Sequence, residues 1–243
     1  MNEYSLQGPF IYNLFVDTIK HNPRFNVNED IESLRQELIN NHNTINTNSF
    51  GATSTINKKP EREISDIAKR GVSNEKYSSL IYRLITKFEA RTIWELGTSL
   101  GINTLYMSLN EASKVTTFEG CAATLDVAKS NFRRFSRKNI TCIEGNIDDT
   151  IHAELAKTEK LDFVFFDANH RKEATLNYFN KCSDKSSEKS IFIFDDIHWS
   201  REMNTAWMFI QDDPRVSVTI DLFQLGLVFF DHSLAKEHFI LSY

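Results

Sequence analysis

Four apolar runs of this sequence close on or beside an acid: Glu95, Glu119, Asp167 and the pair Asp195–Asp196. Each acid is followed within a few residues by a glycine or a histidine. Carboxylates accept hydrogen bonds from ligand hydroxyls or hold hard cations. Histidine titrates nearest neutrality, which makes His170 and His198 candidate bases. The stretch TIWELGTSLGINTLYMSL, residues 92–109, joins a β-rich half to a half with helical spacing, with Gly97 and Gly101 between them. Open α/β sheets take ligands beyond the carboxyl ends of their strands. A glycine turn there lets a ligand approach the backbone and the amides of the next helix. The same turn also serves a strand-to-helix corner with no ligand. Glu119 ends the next run, VTTFEG, eighteen residues after Gly101. A carboxylate in that place accepts from both hydroxyls of a ribose, or it is a surface acid closing a strand.

Asp167, Asp195 and Asp196 end the later runs FFDANH and FDDIHW and are expected at the same sheet edge. Carboxylates gathered there repel, raising their pKa values unless a cation compensates. Oxygen ligands favour a hard divalent ion such as Mg2+. The plainer alternatives are that Asp167 touches a ligand ammonium and that Asp195 caps the following helix. Trp199 either covers an acceptor ring or anchors the core, and the core role is the favoured expectation.

The elements that must position these residues follow from periodicity. RTIWELG, KVTTFEG, ITCIEGN, LDFVFFDAN and SIFIFDDI read as strands. INTLYMSLN, CAATLDVAKSNFRRFS, IDDTIHAELAKT and KEATLNYFNKCS read as the helices between them. That alternation predicts a parallel sheet covered on both faces. REMNTAWMFIQDD then reads as a helix, VSVTIDLFQLGLVFFD as a hairpin, and HFILSY as a further strand or a docked tail. The expected fold is α/β: a Rossmann-like, doubly wound, mostly parallel seven-stranded sheet with a terminal antiparallel hairpin. Residues 1–60 are expected to be an N-terminal helical extension and lid loop. In it, GPFIYNLFVDTIK and NEDIESLRQELINNH have helical spacing, the second behind an Asn28 cap. The polar stretch NTINTNSFGATSTINKKP reads as a linker or as an active-site lid around SFGATSTINKK. Residues 61–243 are expected to form the catalytic domain, opening with helices in EREISDIAKRG and NEKYSSLIYRLITKF.

The whole chain, 243 residues with a net charge of −5, has room for one large α/β domain and no basic surface for nucleic acid. Cys121, Cys142 and Cys182 have no zinc-type spacing and read as free thiols of a reducing, cytoplasmic setting. Neither a signal peptide nor a membrane span is legible. A homodimer fits the sequence as well as a monomer does.

Glu95, Gly97 and Gly101 spell E-x-G-x-x-x-G, which departs from the G-x-G-x-x-G of dinucleotide turns. It resembles motif I of the class I S-adenosylmethionine-dependent methyltransferases. The resemblance spans residues 80–230, terminal hairpin included. It implies that Glu95, Gly97, Thr98, Ser99, Gly101 and Glu119 bind the methionine moiety and ribose of S-adenosylmethionine. It also implies that Gly145, Asn146 and Ile147 lie near the adenine. The later acids resemble those of the catechol and caffeoyl-CoA O-methyltransferase group. There a strand-four Asp is followed three residues later by a Lys base, and the strand-five motif is Asp-Asn. Here Asp167 matches the first acid, His170 stands in the place of the Lys, and Asp195–Asp196 replaces Asp-Asn. The resemblance thus implies metal binding by Asp167, Asp195 and Asp196, with Asp167 also beside the cofactor and His170 as the base; His198, in HWS beside the same crevice, is a second base candidate. Histidine for lysine keeps a base with a lower pKa, and Asp for Asn makes the site more negative. The expected activity is methyl transfer to an oxygen of a small-molecule acceptor. The alternatives are a nicotinamide-dependent dehydrogenase and a nucleotide-binding module without catalysis.

Overall fold

The computed structural model describes residues 8–20, 28–47 and 61–243. Its first elements are α1 (Pro9–Leu14, continued by a π-helical turn Phe15–Ile19), α2 (Glu29–Ile39), β1 (Thr44–Asn46), β2 (Glu61–Glu63), α3 (Ile64–Arg70) and α4 (Glu75–Lys87). The alternating part follows: β3 (Thr92–Leu96), α5 (Ile102–Met107), β4 (Lys114–Glu119), α6 (Ala122–Arg134), β5 (Ile140–Glu144), α7 (Ile147–Lys157), β6 (Phe163–Phe166), α8 (Lys172–Ser183) and β7 (Ile191–Phe194). The chain ends in α9 (Arg201–Asp212), β8 (Val218–Asp221), β9 (Gly226–Phe229) and β10 (Glu237–Ile240). The main sheet has eight strands in the order β10-β8-β9-β7-β6-β3-β4-β5. Seven were expected. The additional one is β10, from HFILSY, which pairs in parallel with β8 from Glu237↔Val218 to Ile240↔Asp221. β9 runs antiparallel to both β7 and β8, as the hairpin reading requires.

The chain divides into two compact units, each discontinuous in sequence: Met1–Asn22, Leu84–Trp94 and Leu155–Tyr243 form one, and Pro23–Arg83 with Glu95–Glu154 the other.

In the first unit, β6 and β7 read FVFF and IFIF, and every one of these residues is buried. Unbroken apolar strands of this kind are what a parallel sheet needs when both faces are covered. Phe166 stacks on Phe194 with ring centroids 4.2 Å apart, and Phe192 meets Phe230 edge-on at 4.7 Å. Such pairs add to the burial of their area.

In the second unit, Ile31, Leu34 and Leu38 of α2 share one core cluster with Ile64 and Ile67 of α3, Leu105 and Tyr106 of α5 and Phe132 of α6. Asn28 caps α2 as expected, its Oδ1 accepting from Ile31 N at 3.1 Å. The elements around residue 60 differ from expectation. Thr44–Asn46 lies in the stretch read as a polar loop, and Glu61–Glu63 in a stretch read as helix. The two segments pair as an antiparallel ladder, Thr44↔Glu63 to Asn46↔Glu61. Three-residue polar strands carry no readable periodicity, so the ladder's hydrogen bonds decide. The lid expected at SFGATSTINKK lies outside the described residues. Among the described residues, no helix is long and apolar enough to cross a membrane.

Candidate active site

The strand β3 runs directly into the glycine turn. Gly97 N and Thr98 N both donate to Phe118 O at 3.0 Å, extending the ladder with β4 past the strand end. Gly97 at φ 108°, Ser99 at φ 49° and Gly101 at φ 85° all take left-handed backbone. Gly101 serves packing: a Cβ there would stand 2.5 Å from Phe132 Cε1, so the start of α5 lies close against α6 only because the side chain is missing.

Glu119 is bound to this turn. Its Oε2 accepts from Ser99 N and its Oε1 from Cys121 N, both at 2.9 Å. Burial raises its pKa, opposed by these backbone N–H groups. Gly145 N donates to Glu119 O at 2.9 Å, bringing the end of β5 beside the end of β4. Asn146 caps α7: its Oδ1 accepts from Asp148 N at 3.1 Å, and Ile147 is buried in that helix's first turn. Glu95 points inward. It is fully buried, and its Oε2 accepts from Thr104 Oγ1 and, at 2.6 Å, from Thr117 Oγ1.

The first unit holds the later acids. Asn169 at φ 66°, His170 at φ 28° and Asp196 at φ 55° have left-handed backbone without being glycine. Strained positions of this type gather at functional sites. Asp195 is buried; its Oδ1 accepts from Asp196 N at 3.0 Å, and it hydrogen-bonds Gln224 and Asp167. Burial and the charge of Asp196 hold its pKa well above the usual carboxylate range. His170 Nε2 lies 3.5 Å from Asp167 Oδ1. Burial lowers the His170 pKa, with Asp196 opposing.

Three carboxylates and an imidazole suit a hard divalent ion by chemistry, and a raised carboxyl pKa is what a cation would reverse. The arrangement does not match. Among the described residues, no group of three or more His, Cys, Asp or Glu side chains is disposed to hold a metal ion. Asp195 commits its oxygens to Asp196 N, Gln224 and Asp167 instead. Asp167 and Asp195 are therefore hydrogen-bonded to each other, with Asp196 joined through its backbone N–H, rather than disposed as the expected ligand set.

His198 is engaged at both ring nitrogens, Nε2 with Asp221 Oδ2 at 2.7 Å and Nδ1 with Asn204 Oδ1 at 2.5 Å. Burial lowers its pKa, but these two partners outweigh that and raise it. The two acceptors favour the protonated ring, which fastens the loop after β7 to α9 and to the end of β8 and leaves no free nitrogen to act as a base. Trp199 is 65% exposed, so it is not the core anchor expected. Sequence reading passed over Thr104, Thr117, Asn204 and Gln224, whose roles depend on tertiary placement alone. It also passed over Asp221, which closes the apolar run VSVTID as Glu119 closes its own, and that pattern is its sequence signal.

Residues 94–197 match a family model described as a methyltransferase domain. In overall structure the chain is similar to a protein from Staphylococcus aureus assigned as a caffeoyl-CoA O-methyltransferase (16% identity, 91% of this chain and 97% of that one, TM-score 0.64). It is also similar to an O-methyltransferase from Bacillus cereus in complex with SAH (22%, 66% and 83%, TM-score 0.58). A third likeness is to an O-methyltransferase from Streptomyces achromogenes involved in tomaymycin synthesis, in complex with SAM (17%, 66% and 82%, TM-score 0.59). No curated protein matches the chain in sequence. At these identities the structural likenesses establish the fold. The likeness to a methyltransferase domain thus covers residues 94–197, on the fold that those structures share.

Proposed function

We propose that this chain transfers the methyl group of S-adenosylmethionine to an oxygen of a small-molecule acceptor, with His170 as the base. Glu119 carries the reading. Its carboxylate closes β4, stays partly exposed and is fixed to the glycine turn by Ser99 and Cys121 N–H groups. A carboxylate so placed suits the vicinal hydroxyls of a ribose. Two of the fold's solved relatives, described as O-methyltransferases, carry SAH and SAM, which supports both the cofactor and the oxygen acceptor. Gly145, Asn146 and Ile147, tied to β4 through Glu119 O, are the residues for the adenine side, with Asn146 contributing only where its cap bond is shared.

When bound, S-adenosylmethionine supplies a methyl group activated by its sulfonium. The protein's own part is to orient donor and acceptor, where large rate gains arise, and to remove the acceptor's proton. A lowered pKa keeps His170 neutral and ready to accept that proton at neutral pH. Asp167, 3.5 Å from Nε2, and Asp196 then stabilise the imidazolium that forms. Asp195 retains a proton toward neutrality, which limits repulsion within the cluster.

Methyl-labelled S-adenosylmethionine offered with a panel of hydroxylated small molecules tests the reading. Label is expected on an acceptor oxygen, with turnover retained in a chelator. Turnover lost in chelator and restored by Mg2+ would replace the metal-free base with an ion-assisted one. No transfer to any acceptor, or transfer to nitrogen or carbon alone, would contradict the oxygen assignment.

A further inference from the structure

Glu95 differs from every other acid near the glycine turn. It has no exposed surface, so an incoming ligand cannot touch it without opening the core. Behind the turn its carboxyl group is the centre of a buried polar cluster. Thr104 Oγ1 of α5 and Thr117 Oγ1 of β4 both donate to its Oε2. Thr98 Oγ1, in the turn itself, lies 2.5 Å from Thr117 Oγ1. Thr98 is 3% exposed, and Thr104 and Thr117 are fully buried. The chain Thr98–Thr117–Glu95–Thr104 therefore links the turn, the neighbouring strand and the helix after the turn through side chains alone. Among the described residues, Glu95 Oε1 is buried with no hydrogen-bond partner.

We propose that Glu95 is a positioning residue that holds the glycine turn from behind, through Thr117, Thr98 and Thr104, and does not itself contact the cofactor. The inference rests on the reading that S-adenosylmethionine occupies this turn.

A full negative charge in such a place would be costly. Burial raises the Glu95 pKa from 4.5 to about 8, partly opposed by the two threonine hydroxyls and reinforced by the charge of Glu119. The titratable groups facing it are Glu119 at the end of β4 and Cys142 of β5, and neither supplies positive charge. Glu95 therefore works as a neutral acid at neutral pH. The unfolded chain ionises this group near the ordinary value while the folded chain does not, so folding loses stability as pH rises from 4.5 to about 8. An amide at this position keeps the polar contacts and has no charge to suppress.

The test uses the full chain, with Glu95→Gln and Glu95→Leu. The melting temperature of Glu95→Gln should gain on wild type progressively as pH rises from 4.5 to about 8. At neutral pH, Glu95→Gln should bind SAH about tenfold more tightly than Glu95→Leu, the loss expected from one to two neutral hydrogen bonds. Should Glu95→Leu fail to fold, Thr117→Val, which cuts the same cluster, takes its place in the binding arm. Equal SAH affinity in Glu95→Gln and the apolar variant would overturn the proposal, as would a melting difference that does not change with pH. Wild type that binds no SAH would instead overturn the cofactor reading, and the melting series would still report the state of Glu95.

Discussion

His170 is the residue on which the proposed chemistry turns, and its surroundings make a directional prediction. Burial lowers its pKa and Asp196 only partly offsets this. Rate should therefore be flat through neutrality and fall on the acid side, below the ordinary histidine range, as the ring protonates. His170→Ala should lower kcat by roughly two to four orders of magnitude, the usual worth of a positioned base, and should abolish that acid limb. A pH–rate profile of both proteins checks it, and an unchanged acid limb in His170→Ala would assign the proton to another group. Residues of this kind were legible because an acid or histidine at the end of an apolar run is a local pattern, as with Glu119, Asp167 and His170. The direction in which a side chain points was not. Glu95 and Glu119 look alike in sequence, yet one is sealed in the core and the other stays partly exposed at the turn. Likewise, nothing local tells that Asn204 and Asp221 occupy both nitrogens of His198.

At the scale of elements, α2 is bound to the helix that follows the glycine turn. Arg35 bridges Glu32 at 2.7 Å, donates to Ser73 O and reaches Ser78 Oγ at 3.0 Å. Ser78 Oγ donates to Asn103 Oδ1 at 2.7 Å, and Asn103 Nδ2 to Ser73 Oγ at 3.0 Å. Tyr106 OH donates to Glu32 Oε1 at 2.8 Å. Both Asn103 and Tyr106 belong to α5. Arg35→Ala would leave Glu32 without its charge partner in a largely buried network, at a cost of about 3–5 kcal/mol. Urea denaturation should show the midpoint falling with the m-value unchanged, and a midpoint within error of wild type would show the network to be incidental. The same contacts alter what α2 means. The helix was legible from spacing and from the Asn28 cap. Its membership in the core of Leu105 and Tyr106 was not, because an amphipathic face does not name the face it meets. The β1–β2 ladder was illegible for a different reason: its strands are too short and too polar to show alternation.

For the whole molecule, the βα alternation and the terminal hairpin were set out by periodicity, since long apolar runs such as FVFF and IFIF leave little choice but a covered parallel sheet. The strand β10 was the least legible part of the sheet, being an edge segment with only Phe239 buried among its residues. The expected metal set was drawn from strand-end positions and from the resemblance to the catechol and caffeoyl-CoA group. Asp195 instead hydrogen-bonds Asp167 and the backbone N–H of Asp196, which no spacing rule reports. The proposed function stands or falls on the glycine turn as the site for S-adenosylmethionine, with Glu119 on the ribose. Isothermal calorimetry of SAH and of NAD against wild type and Glu119→Ala is the measurement for it. SAH should bind wild type, NAD should not, and Glu119→Ala should weaken SAH by roughly 1.5–3 kcal/mol, the worth of hydrogen bonds to a charged group. SAH bound equally well by a folded Glu119→Ala, or NAD bound in preference to SAH, would contradict it.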